Sequence, residues 1–222
     1  MTTKEKPIIF STSMVRAIMD GRKTQMRRVI ARDIVNCFDI DMDRRAIVYI
    51  DQATGDSFKP EEMCPYRLGD ILWVRETFAV GCIVYGEEPD GRAVAYISQC
   101  KGENDYIPKE YALRYGVGMD EVVWKPSIHM PREAARLFLE VKNVRAERLQ
   151  NISYEDAIAE GTLQWICEKY KSGSYLDNAM RGTACAKPER AFALLWDTLN
   201  AKRGYPWENN PWVWVIEFMR IE

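Results

Sequence analysis

The chain is poor in the residues that most metal sites use. It has a single histidine, His129, and its six cysteines (Cys37, Cys64, Cys82, Cys100, Cys167, Cys185) include no CxxC pair. A zinc knuckle needs clustered cysteine and histidine, and a disulfide scaffold needs densely spaced cysteine, so both are excluded and free thiols in a reducing compartment are expected. No apolar run approaches the ~20 residues of a membrane helix. The N-terminal MTTKEKPIIF has no extended apolar core of the kind a secretory signal carries. The glycine-rich, Walker, HExxH and GxSxG patterns are missing as well, which removes the usual support for dinucleotide, nucleotide triphosphate, zinc-protease and hydrolase-elbow chemistry. A cytoplasmic protein is expected, with no membrane association, cofactor or metal.

Net charge is also lacking. Lys plus Arg number 31 against 33 for Asp plus Glu, a formal charge of -2, so bulk charge cannot hold a polyanion. Positive charge is instead concentrated locally, in DGRKTQMRR, Asp20 to Arg28. From Arg16 to Arg32 there are six basic residues (Arg16, Arg22, Lys23, Arg27, Arg28, Arg32) against one acid, Asp20. Such a patch is either a solvated basic turn or the footprint of a local anionic ligand.

With 222 residues, 47% of them hydrophobic, the chain is long enough to bury a core. Ile8 to Phe10 reads as a short buried strand. STSMVRAIMDG follows as a short helix with hydroxyl caps at its start and Gly21 at its stop. RKTQMRRVI has no helical apolar stripe and reads as extended. RRAIVYIDQATGDSF alternates like a hairpin, and a Gly-Asp turn feeds a strand at Ile71 to Val74. Leu137, Leu139 and Val141 alternate with Phe138, Glu140 and Lys142 as a half-buried strand. NISYEDAIAEG is a capped helix closed by Gly161, and PERAFALLWDTLNAKRG is the clearest helix of the chain. WVWVIEFMRI ends the sequence as an apolar strand. Strands with short helices between them indicate the α+β class and a small mixed barrel rather than a doubly wound sheet.

The combination IIF…AIMDGRKTQMRR, LGDILWVRE, LEVKNVRAERLQNISYEDAIAEG and WVIEF resembles the ASCH family, small β-barrels related to the PUA RNA-binding domain, and in particular its longer phage and prophage members. The likeness covers about half of the chain. It leaves residues 34–65, 86–122 and 164–187 as insertions in a single domain spanning 1–222.

The resemblance implies a PUA-like barrel with a cleft whose walls carry Lys23 and Glu160. It also implies binding of RNA or a modified nucleotide. One bacterial branch of the family looks like an amidohydrolase that removes the acetyl group of N4-acetylcytidine, using that lysine, that glutamate and a threonine whose position here is Met26. A thioether can neither attack an acyl carbon nor donate a hydrogen bond, so the hydrolytic pattern is broken at that point. Three functions stay open at the level of sequence: a nucleic-acid-directed binder, an amidohydrolase on an N4-acylated cytidine, and a phage structural or interaction protein.

Further candidates cluster around this pair. Thr24 is the nearest substitute hydroxyl, while Ser11, Thr12 and Ser13 are better read as helix caps. Arg22 and Arg28 flank Lys23 as phosphate-binding candidates. In WKPSIHMPR, Trp124 offers a face for base stacking, His129 is the chain's single imidazole and Arg132 suits a phosphate; the alternative is a loop that packs locally. Arg75, after the Gly-Asp strand, either lines a cleft or pairs with Glu76. Core packing accounts for most of the seven tryptophans.

Overall fold

The computed structural model describes residues 4–42, 46–82, 93–97, 105–106, 123–162 and 188–221, with only the backbone path given at 79–82, 93–97, 105–106 and 123–124. The chain divides into two compact units. The first comprises Met1–Arg16, Ile71–Glu140 and Arg220–Glu222, the second Ala17–Asp70 and Val141–Met219. The fold is mixed α+β, and no helix among the described residues is long and apolar enough to cross a membrane.

In the first unit, β1 (Glu5–Ile9) runs parallel to β6 (Ile71–Arg75), which pairs antiparallel with Phe138–Glu140 at the start of β11 (Phe138–Arg148). Leu72, Val74 and Leu139 are fully buried there, as the period-2 alternation requires. A separate four-stranded sheet has the order β10 (Val123–Lys125), β7 (Phe78–Cys82), β8 (Ala93–Ile97), β9 (Asp105–Tyr106). Parts of the expected 86–122 insertion are thus paired backbone, and its remainder, like 164–187, lies outside the described residues.

In the second unit the remainder of β11, β12 (Trp212–Ile221) and β2 (Gln25–Val29) lie side by side in that order. β12 meets β2 antiparallel, with Ile216 opposite Met26 and Val215 opposite Arg27. The 34–65 segment forms its own antiparallel sheet of β3 (Phe38–Asp41), β4 (Ala46–Ile50) and β5 (Ser57–Phe58) after the short α2 (Arg32–Val35). Two helices pack on this unit's core, α3 (Tyr154–Ala159) and α4 (Pro188–Asn200). Phe192 and Trp196, one turn apart on α4, join Leu149, Ile152, Ala157, Val213 and Val215 in a single apolar cluster. At that scale each fully buried large side chain contributes about 1.5–3 kcal/mol. α4 gives way to a tight turn at Ala201–Arg203, and Gly204 at φ 87° ends it.

The half-buried strand read over Leu137 to Lys142 runs on to Arg148, and its polar second half carries the ion pairs of Arg145. The strands form open orders among the described residues, with β2 at an edge, so no closed barrel is formed by them.

Candidate functional site

The site begins with α3. Ser153 caps it by accepting from the Asp156 amide, and Glu155 and Asp156 occupy the first turn, where the helix dipole favours acids. Glu160 closes the helix, and Gly161 leaves it at φ 73°. A Cβ at Gly161 would sit 3.1 Å from Lys23 Cβ and 3.3 Å from Ala17 Cβ, so this turn presses directly on the lysine. Glycine is required there for both its backbone and its size.

The chain arrives at Lys23 from α1 (Thr12–Met19). The amides of Arg22 and Lys23 both bond to the Ala17 carbonyl, at 2.8 and 3.0 Å, turning the backbone toward β2. Lys23 and Glu160 then form an isolated antiparallel bridge, and the Thr24 amide donates to Ala159 O at 2.9 Å. The Lys23 ammonium donates to Glu160 Oε2 at 2.7 Å and to the Glu160 carbonyl at 3.1 Å. Both residues are buried, at 2% and 4% exposure, so Lys23 is not part of a solvated basic turn.

A carboxylate at a helix C-terminus opposes the dipole, and burial adds to the cost. Two cations offset both. The second is Arg27, whose Nη1 donates to Glu160 Oε1 at 3.0 Å. Arg27 Nη2 donates to Glu147 Oε1 at 2.7 Å and to Asp156 Oδ2 at 2.8 Å, and its guanidinium lies 5.5 Å from the Phe192 ring centroid. With its side-chain amide turned to satisfy its neighbours, Gln25 donates to Asp156 and accepts from Arg27. Arg145 extends the network outward, donating to Asp156 at 2.5 Å, to Glu147 at 3.3 Å and to Glu217.

Burial pushes the Lys23 amine below the usual lysine range; the Glu160 charge and hydrogen bond oppose this, and Arg28 and Arg27 reinforce it. Burial works to raise the Asp156 carboxyl, yet the hydrogen bonds and charges of Arg145 and Arg27 prevail and hold it below the usual value. Arg28, half-buried, is likewise pushed down by burial, and interacts electrostatically with Tyr66, Glu160 and Arg203.

The structure therefore brings Lys23 and Glu160 together, with Arg28 in their electrostatic reach. Arg22 is half-buried and pairs with Asp20 at 2.6 Å, and Thr24 is exposed. Met26 is 2% exposed, in the core. Because Gln25 and Arg27 both turn toward Asp156, strand alternation places Met26 on the opposite face of β2.

The remaining candidates belong to the first unit. Arg75 donates to the Met130 carbonyl at 3.1 Å and lies over the Trp73 ring at 4.9 Å; Glu76 pairs with Arg136 rather than with Arg75. His129 is exposed in a tight turn at Ser127–His129. Arg132 forks onto Glu5 and covers Phe138. Trp124 pairs with Ala79 through its backbone, and its side chain lies outside the described residues.

Sequence reasoning counted Arg27 as part of the basic patch but missed it as a site residue, along with Gln25, Arg145, Glu147 and Asp156. Two signals were readable: Asp156 and Glu160 stand four apart on one helix face, and Arg145 and Glu147 two apart on one strand face. No protein-family model, curated protein or solved structure matches the chain.

Proposed function

We propose that this chain is an ASCH-type nucleic-acid-directed protein, PUA-like in fold, that takes RNA or a single nucleotide at the Lys23–Glu160 pair. The observation that carries this reading is the direct contact of two chemically complementary side chains that the family pattern pairs, Nζ to Oε2 at 2.7 Å. Glu160, bonded to a cation through each carboxylate oxygen, offers acceptor oxygens to an exocyclic amine of a base. Lys23 spends two of an ammonium's three donors on Glu160, and the third serves a ligand oxygen. Arg22 and Arg28 supply the phosphate-directed charge beside it. Since the pair is buried, a base reaches it by displacing existing contacts, which favours a nucleotide flipped out of a strand over a stacked one.

The test is binding of a short single-stranded RNA followed by fluorescence anisotropy from about 50 to about 200 mM salt. Affinity that falls with salt, and falls further in Lys23→Ala, supports the reading. Salt-independent affinity, or equal affinity of the variant, rejects it.

The burial that lowers the Lys23 amine also favours a second reading, an amidohydrolase with Lys23 as base and Glu160 as orienter. Incubation with N4-acetylcytidine separates the two: deacetylation lost in Lys23→Ala selects the enzyme. A phage structural role requires instead a stable complex with virion proteins and no nucleotide affinity.

A further inference from the structure

Arg27 meets the pair through the second carboxylate oxygen of Glu160. Its guanidinium is fully buried, and one nitrogen reaches Glu160 while another is anchored by Glu147 and Asp156. A buried lysine–glutamate pair on its own can become neutral by passing its proton from amine to carboxylate, which removes the cost of keeping two charges out of water. A guanidinium cannot release its proton at any accessible pH. With Arg27 bonded to Oε1 and Lys23 to Oε2, each oxygen of Glu160 faces its own cation, and only one of those cations can discharge.

We propose that Arg27 is a positioning residue that keeps Glu160 ionised whether or not Lys23 carries a proton, so that Lys23 titrates alone. This rests on reading Lys23 and Glu160 as the ligand-facing pair. The consequence is a carboxylate that stays an acceptor across the working pH range and an amine free to change state beside it. Among the described residues, these charged groups act on the pair or on the cations beside it. From β2 these are Arg27 and Arg28, the latter coupled to Tyr66 and Arg203; behind Arg27 stand Asp156 on α3 and Glu147 on β11, and beyond them Arg145 and, on β12, Glu217. The charge of Arg27 also weighs against a proton on Lys23. A purely structural arginine would hold the fold without fixing which of the two side chains titrates.

The experiment is a ligand-free pH titration by NMR of the full chain, following the Lys23 side-chain carbon next to the amine and the Glu160 carboxyl carbon. In the natural protein the Glu160 carbon is expected at its ionised position both below and above the Lys23 midpoint. In Arg27→Gln the Lys23 midpoint is expected to move up and the Glu160 carbon to show protonation at higher pH. A Glu160 step coincident with the Lys23 midpoint in the natural protein overturns the proposal, as do unchanged midpoints in folded Arg27→Gln. Should that variant not fold, the natural protein's carboxyl trace decides alone. No RNA enters the measurement, so its outcome is independent of whether the chain binds nucleic acid.

Discussion

Lys23 and Glu160, 137 residues apart in the chain, are joined through backbone and side chain together: an antiparallel bridge, an ammonium-to-carbonyl bond at 3.1 Å and an ion pair at 2.7 Å. Closing so long a loop costs entropy, and the contact lies at the end of a helix of only six residues. The Glu160 carboxylate at that end is shared between two cations, Lys23 and Arg27.

That arrangement makes the two partners unequal. Removing Glu160 leaves Lys23 buried without its counter-charge, whereas removing Lys23 leaves Glu160 still bonded to Arg27. Glu160→Gln is expected to cost about 3–5 kcal/mol and Lys23→Met about 1–3 kcal/mol, read from urea denaturation. Equal costs, or the reverse order, would show that Arg27 does not share the carboxylate.

Gly161 and Gly21 both lie in the left-handed region, at φ 73° and 71°, but only Gly161 is crowded. Alanine at Gly21 is expected to cost about 1–2 kcal/mol for the backbone alone. Alanine at Gly161 adds steric pressure on the Lys23 and Ala17 Cβ atoms, for a further 1 kcal/mol or so, and disturbs the pair. Thermal denaturation of the two variants side by side checks the difference.

Asp156 gives the acid limb of stability a definite sign. Its folded-state carboxyl lies below the unfolded value, which is about 3.9, because the pull of Arg145 and Arg27 exceeds the effect of burial. Its contribution is therefore complete above the unfolded value and is lost as pH falls through the depressed folded value. Asp156→Asn is expected to lower stability at neutral pH and to flatten the decline at acid pH. An acid limb of unchanged slope in that variant would contradict the assignment.

Met26→Thr restores the hydroxyl that the hydrolytic family pattern carries, yet on this structure it does so in the core. It is expected to destabilise the chain by about 1–3 kcal/mol through lost packing and a buried hydroxyl. It is also expected to gain no activity on N4-acetylcytidine, since β2 turns this position away from the face of Arg27. Turnover by the variant would show that Met26 does face the pair.

The elements best read from sequence were those whose pattern is local. Ser153 to Gly161 announced α3 through its cap, its first-turn acids and its glycine stop, and the spacing of Phe192, Leu195, Trp196 and Leu199 announced α4. The meeting of Lys23 with Glu160 came from the family resemblance and not from spacing, because nothing local encodes a contact between residues 137 apart. The role of Arg27 was illegible for a physical reason. A basic residue in a basic run is ordinarily solvated, and only three carboxylates converging from α3 and β11 make its burial tolerable. The polar half of β11 was lost in the same way, since ion pairing leaves no hydrophobic period.

The most direct test of the central claim is to follow the Lys23 and Glu160 side-chain signals by NMR while a short single-stranded RNA is added. Saturable movement of both signals, in step with binding measured by anisotropy and absent in Lys23→Ala for the remaining Glu160 signal, is the predicted result. RNA that binds while both signals stay still, or RNA that does not bind at all, contradicts the account.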